Sequence, residues 1–293
     1  MGLGLTITLA DGRLLGFDDV GDPSGVPVLY VHGSPDSRRS RHPDDTVATN
    51  ASIRLVAVDR PGAGLSTGHP EGTVGSFADD AIALADHLGI ERWRIFAWSA
   101  GSVYALAVAA RHPDRVDRVV VAAGLVPFEA YANPGILDEA DGGRWMVAEL
   151  GAELGPVGLA EAAAPMLAPW PCDEALAREH VMETADARRR AELDAVPGAV
   201  DAMALGVVDA VADGLGGLTR DLELQVEDPD VDWSAVAAPV DLWYGAHDST
   251  APPAFGRWWA THLRWAELRI EPEAGHLLAL THWQQILETL TNP

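Results

Sequence analysis

The stretch Arg94-Ile95-Phe96-Ala97-Trp98-Ser99-Ala100-Gly101-Ser102-Val103-Tyr104-Ala105-Leu106 decides how the chain is read. Its first half, Arg94 to Trp98, is apolar apart from the leading arginine, as expected of a strand buried on both faces. From Ser99 to Arg111 it turns Ala-rich and helical, and Pro113 stops the helix. A serine at a sharp strand-to-helix turn needs small neighbours, here Ala97, Ala100 and Gly101, because side chains crowd there. The turn lifts the hydroxyl to the edge of a sheet and sets it at a helix N-terminus, which favours developing negative charge. Ser99 is therefore the candidate nucleophile.

Working outward, the segment on the N-terminal side reads as a hairpin, Thr6 to Ala10 and Arg13 to Phe17, turned at Asp11-Gly12. Val28 to Val31, Ile53 to Val58 and Arg118 to Ala123 are further apolar runs, and Phe77 to Leu88 has helical spacing. Strand alternating with helix predicts a mostly parallel sheet covered on both faces. The rhythm breaks after residue 124. Residues 125–235 are rich in Ala, Glu and Asp and lack strand-like runs; helices are expected across Glu174 to Arg190 and Ala199 to Ala212. It resumes at Val240 to Tyr244 and Ala266 to Ile270, and a closing helix covers Trp283 to Leu290. The expected organisation is a core of 1–124 and 236–293 with a helical cap of 125–235.

Composition narrows the function. Of 293 residues, 48% are hydrophobic, enough for a large core, and the formal net charge is −24. That charge opposes binding to nucleic acid or to anionic lipid. All basic residues are arginine, so chemistry that needs a lysine, such as a Schiff base, is excluded. A single cysteine, Cys172, forms no intramolecular disulfide and reads as a small packed residue. No signal-peptide pattern and no run of about 20 apolar residues is seen, so the expected location is cytoplasmic and no membrane partner is expected. No cluster has metal-ligand spacing, and neither metal nor cofactor is expected.

A second motif, His32-Gly33-Ser34-Pro35, directly follows Val28 to Val31. A tetrahedral oxyanion needs preorganised N–H donors, and the loop after this strand is where one is supplied. Ser34 and Ala100 are the candidate donors, and His32 is expected to brace the loop. With these motifs, Asp59-Arg60-Pro61-Gly62-Ala63-Gly64-Leu65-Ser66, Gly245-Ala246-His247-Asp248 and Gly275-His276, the chain resembles the α/β-hydrolase superfamily, in particular its capped, serine esterase-like members. The departure is Ala97, where the family's elbow usually carries glycine. The resemblance implies Asp248 as the acid after the strand Val240 to Tyr244 and His276 as the base after the last strand, in the order Ser, Asp, His. Glu129 is the rival for the acid, and His247 is read as structural.

Ser99 at the elbow argues against the aspartate-nucleophile chemistry of the epoxide hydrolases and haloalkane dehalogenases of this fold. Ser99 with a histidine base implies acyl transfer through a covalent ester. The expected substrate is a small, partly apolar carboxylic ester or lactone. Trp98, Trp145 and Met166 are candidates for its apolar pocket, and Arg144 or Arg220 for fixing a carboxylate. Alternatives within the fold are an aminopeptidase resembling proline iminopeptidases, with Glu149, Glu161 or Asp141 for the substrate amine, a carbon–carbon bond hydrolase, or a cofactor-free peroxidase. An alternative of another class is a small-molecule receptor with little turnover.

Overall fold

The computed structural model describes residues 1–167 and 170–292. The chain forms β1 (Gly2–Thr8), β2 (Leu14–Gly21), β3 (Val26–Val31), α1 (Thr46–Asn50), β4 (Ile53–Val58), α2 (Val74–His87), β5 (Trp93–Trp98), α3 (Gly101–Arg111) and β6 (Val116–Ala122). Five helices follow: α4 (Gly142–Leu167), α5 (Glu174–Thr184), α6 (Ala187–Ala195), α7 (Ala199–Asp209) and α8 (Gly216–Leu224). The chain then returns to β7 (Val240–Gly245), α9 (Pro253–His262), β8 (Ala266–Glu271), α10 (Leu278–Thr281) and α11 (Trp283–Thr291).

The strands make one eight-stranded sheet in the order β1-β2-β4-β3-β5-β6-β7-β8. β1 with β2 and β2 with β4 are antiparallel, and every other pairing is parallel. The apolar runs are the central strands: β3, β5 and β6 are closed off from solvent over most of their length. Tyr30 packs edge to face on Phe96 and on Trp283, each at 5.3 Å between centroids, and Phe96 and Trp283 meet tilted at 4.8 Å; an edge-to-face pair adds about 0.5–1.5 kcal/mol beyond burial. The hairpin turn is where Asp11-Gly12 placed it, with Gly12 at φ 89°. Among the described residues no helix is long and apolar enough to cross a membrane.

Between β6 and β7 the structure differs from the sequence reading in one useful way. The helix expected across Glu174 to Arg190 is two helices, α5 and α6. The break is made by Asp186, whose side chain accepts the N–H of Arg189 as an N-cap and so starts a new helix in a new direction. α4 is also interrupted, at Gly155, where φ is 69°.

Three buried polar ties fasten these helices to the sheet. The Arg38 guanidinium bonds Asp18 of β2 at 3.0 Å and Asp59 at 2.6 Å, and reaches Asp209 of α7 at 3.3 Å. Arg60 pairs with Asp221 of α8, which also accepts the Tyr104 hydroxyl at 3.0 Å. Burial would raise Asp221, but the Arg60 charge overrides it and holds the carboxyl below its ordinary range. Glu192 of α6 makes the third tie, into the loop that carries His276.

Candidate active site

Ser99 sits between β5 and α3 with φ 53°, in the left-handed region that a serine rarely occupies. The turn is held by its own backbone: Ser99 N–H donates to Ala122 O at 3.0 Å, and Ser99 O accepts from the N–H groups of Ser102 and Leu125. Gly101 is required here, because a Cβ would lie 2.4 Å from Val31 O on the neighbouring strand. Position 97 sets no such demand for glycine: Ala97 is fully buried within β5.

The elbow points the serine at the end of β8. Ser99 Oγ lies 3.1 Å from His276 Nε2, and His276 Nδ1 lies 2.8 Å from Asp248 Oδ2. The other Asp248 oxygen, Oδ1, accepts the N–H groups of Thr250 and Ala251, each at 2.9 Å. A carboxylate so held is acceptor-only, so Nδ1 carries the imidazole proton and Nε2 is free to accept from the serine. The Trp98 indole N–H donates to His276 O at 3.0 Å. Thus Trp98, a candidate for the apolar pocket, both lines the cavity and braces the histidine's backbone. Glu129 is exposed in the short turn Phe128–Ala132, and His247 is exposed next to buried Asp248.

The loop after β3 faces this chain of hydrogen bonds. A Cβ on Gly33 would lie 3.1 Å from Ser99 Cβ. His32 is fully buried; it accepts the Arg60 N–H at Nε2 (3.0 Å) and donates from Nδ1 to Gly33 O (2.8 Å). Burial, helped by the Arg60 charge, lowers it to about 3, so it braces the loop as a neutral ring. The Ser34–Pro35 peptide is cis. Among the described residues neither the Ser34 nor the Ala100 N–H meets a protein acceptor.

A cavity of about 310 Å³ opens over Ser99 and His276. Trp98, Trp170, Leu193, Met203, Val207 and Leu277 supply its apolar wall. Two of the expected pocket residues are elsewhere. Trp145 and Met166, on α4, are 44% and 53% exposed and do not line the cavity. The wall comes instead from α5, α6 and α7, because α4 packs with α8 on the side of Phe128 and Val226. Cys172, expected as a packed residue, is exposed. Arg220 is engaged by Glu223 and Glu227, and Arg144 by Gln225.

Comparison with known proteins agrees with this architecture. The family model for the alpha/beta hydrolase fold matches residues 26–148. An α/β-hydrolase fold protein from Nakamurella multipartita superimposes with TM-score 0.66 at 27% identity, over 98% of each chain. The chain has the α/β-hydrolase fold. A thermophilic esterase from Thermogutta terrifontis shares the fold of this α/β-hydrolase, with TM-score 0.63 at 24% identity over 98% of this chain and 96% of the other. A proline iminopeptidase of Arabidopsis thaliana is 34% identical over 124 residues, 39% of this chain and 31% of the relative. The chain thus spans about a third of the length of the curated relatives it matches.

Three groups of this α/β-hydrolase escaped the sequence reading. Glu192 Oε1 accepts Gly275 N–H at 2.5 Å and Oε2 accepts Leu277 N–H at 3.2 Å, so one carboxylate grips the backbone on both sides of His276. Burial raises its carboxyl, against the pull of those two N–H groups. Asp36 is buried in the cavity wall and accepts the Ser40 hydroxyl at 2.6 Å. Burial raises it to about 7, although Arg60 and His276 act in the opposite sense. Arg189 of α6 faces the same cavity. Neither Glu192 nor Arg189 stands out from the acidic and basic residues around it. Asp36 lies two residues beyond Ser34, and only its burial separates it from a loop acid.

Proposed function

We propose that this chain is a serine hydrolase that cleaves a small, partly apolar carboxylic ester or lactone. The observation that carries the reading is the hydrogen-bonded series from Ser99 Oγ through His276 to Asp248, opening on a mainly apolar cavity. In this reading Ser99 Oγ attacks the carbonyl carbon and His276 Nε2 takes the hydroxyl proton. The imidazolium, steadied by Asp248, then returns that proton to the departing alkoxide. Water enters, gives its proton to His276 and attacks the acyl carbon. The acid leaves, and Ser99 recovers the proton. The N–H groups of Ser34 and Ala100 are assigned to the oxyanion, a role worth roughly 10²–10³ in rate for each donor. The helices within 125–235 serve as a cap over a core of 1–124 and 236–293.

The likeness in sequence to proline iminopeptidases favours a second reading, release of an N-terminal residue from a small peptide. That chemistry needs an acid near the substrate amine. Glu149, Glu161 and Asp141 do not line the cavity, and Asp36 is the acid that does. Intact-mass measurement after exposure to a fluorophosphonate tests the shared step. One adduct on the wild type and none on Ser99→Ala is the expected result; an adduct that persists in the variant removes Ser99 from the reaction. Turnover of p-nitrophenyl esters against prolyl and alanyl p-nitroanilides then separates the readings.

A further inference from the structure

Cations are scarce in this chain, and acids outnumber them 44 to 20. Most arginines accordingly sit within 4 Å of a carboxylate, among them Arg13, Arg38, Arg54, Arg60, Arg118 and Arg220. Arg189 is different. It lines the cavity that holds Ser99 and His276, and among the described residues no carboxylate lies within 4 Å of its guanidinium. Its side-chain partner is neutral: Nη2 donates to Thr250 Oγ1 at 2.7 Å. The Thr250 hydroxyl proton is spent on Asp141 Oδ2 at 2.8 Å, so Oγ1 offers a lone pair to the arginine. That contact fixes one edge of the guanidinium. Nε and Nη1 have no acceptor among the described residues, yet they are not among the buried polar atoms left without partners. They are therefore accessible, on a side chain that lines the cavity.

We propose that Arg189 is a carboxylate-binding side chain of the active site, so that the substrate carries a free carboxylate beside its scissile ester. This rests on the hydrolase reading above and narrows its substrate class to half-esters of dicarboxylic acids and related acid-bearing esters or lactones. The guanidinium fork suits a carboxylate because it donates two parallel N–H bonds in one plane. Its anchor, Thr250, lies within the loop turn at Asp248 and gives one of the two backbone N–H groups that Asp248 receives. The same loop therefore sets both the acid behind His276 and the cation that orients the substrate. Asp36, adjacent in sequence to the Ser34–Pro35 turn, lines the same cavity and when ionised disfavours a second negative charge beside it. The anionic end of the substrate is thereby directed toward α6 and its ester toward Ser99.

The test uses full-length protein and two probes of matched size, monomethyl glutarate, which carries one carboxylate, and dimethyl glutarate, which carries none. Calorimetric titration into Ser99→Ala reads binding without turnover. The half-ester should bind at least about tenfold more tightly than the diester, the scale of a charge-assisted hydrogen-bonded pair. That preference should disappear in Ser99→Ala/Arg189→Gln and be partly kept in Ser99→Ala/Arg189→Lys, which retains the charge but not the fork. Equal affinity for the two probes, or a preference that survives Arg189→Gln, overturns the proposal. In the Ser99-intact protein the ratio of kcat/KM for half-ester to diester should follow the same order. Diester turnover without any Arg189-dependent preference would reject the subsite and keep the hydrolase. Arg189-dependent binding without turnover of either probe would keep the subsite and reject the hydrolase.

Discussion

Replacing Glu192 with alanine should damage the chemistry at His276 from outside the reacting atoms. The side chain reaches from α6 to the N–H groups of Gly275 and Leu277, at 2.5 and 3.2 Å, and both donors lie in a buried setting. Removing the carboxylate leaves two N–H groups without an acceptor. Each unmet buried donor costs about 1–3 kcal/mol, or about 2–6 kcal/mol for the pair. Part of that is offset, because the buried carboxylate no longer has to be kept ionised where burial raises it. A net loss of about 1–4 kcal/mol is expected in chemical denaturation. The larger effect is on rate. With those two N–H groups released, the loop loses that tie to α6, and His276 keeps Asp248, Ser99 and the Trp98 indole on its carbonyl; a misplacement of about 1 Å in such a group costs on the order of 10²-fold. The assay is the second-order rate of fluorophosphonate labelling at Ser99, with ester turnover beside it. Glu192→Gln, which keeps one acceptor oxygen, should fall between wild type and Glu192→Ala in both stability and rate. A Glu192→Ala protein that is destabilised yet labels at the wild-type rate would refute the argument, since it would show that the histidine needs no grip from α6.

Asp36→Asn should alter the dependence of stability on pH. Its folded-state pKa, about 7, lies above the ordinary 3.8. The wild type therefore loses stability relative to the variant as pH rises from about 4 to about 7, and the gap is constant above that; three pH units correspond to at most about 4 kcal/mol. Paired denaturation curves at pH 4, 6 and 8 check this. Asp248→Asn should lower kcat by up to about 10⁴-fold with little change in fold. Because the N–H groups of Thr250 and Ala251 fix the carbonyl oxygen at the Oδ1 position, the amide nitrogen must face His276 and drive the proton to Nε2; a pH–rate profile measured with an activated ester checks it. Asp221→Ala leaves the Arg60 guanidinium buried and unpaired, and should cost about 3–5 kcal/mol; a shift in Tm is the readout.

The fold was readable because its central strands are mostly apolar runs and its turns carry glycine where the backbone demands it. Val28 to Val31, Arg94 to Trp98 and Val240 to Tyr244 lie within strands β3, β5 and β7 of the parallel part of the sheet. Ser99 could be picked out because it follows such a run directly; Asp248 and His276 came with the family resemblance, which implies an acid and a histidine after the last two strands, and the structure brings the three within hydrogen-bonding distance. The helical segment was harder. Asp186 reads as one more acid in a helix until its side chain is seen to cap the next one. Trp145 and Met166 attracted notice through residue type, but which side of the molecule a helix faces depends on where its neighbours dock. Arg189 and Glu192 lie three residues apart on α6, one facing the cavity and the other gripping the His276 loop. No periodicity in Ala187-Arg188-Arg189-Arg190-Ala191-Glu192 distinguishes them, because the contacts come from residues more than 60 positions away.

Gly62 and Gly217 meet where the loop after β4 touches the start of α8. A Cβ on Gly217 would lie 2.1 Å from Gly62 O, and one on Gly62 would lie 2.6 Å from the Gly217 Cα. Main chain rests on main chain, with no side chain to yield. Any residue other than glycine at Gly217 acts as a wedge between sheet and helix. It prises α8 outward together with Asp221, four residues on, and so pulls on Arg60, whose guanidinium also holds Gly33 O in the loop facing Ser99. Graded wedges of alanine, valine and leucine at that one position would load this tie in steps, and so give a handle on the loop facing Ser99 that leaves Ser99, His276 and Asp248 themselves unchanged.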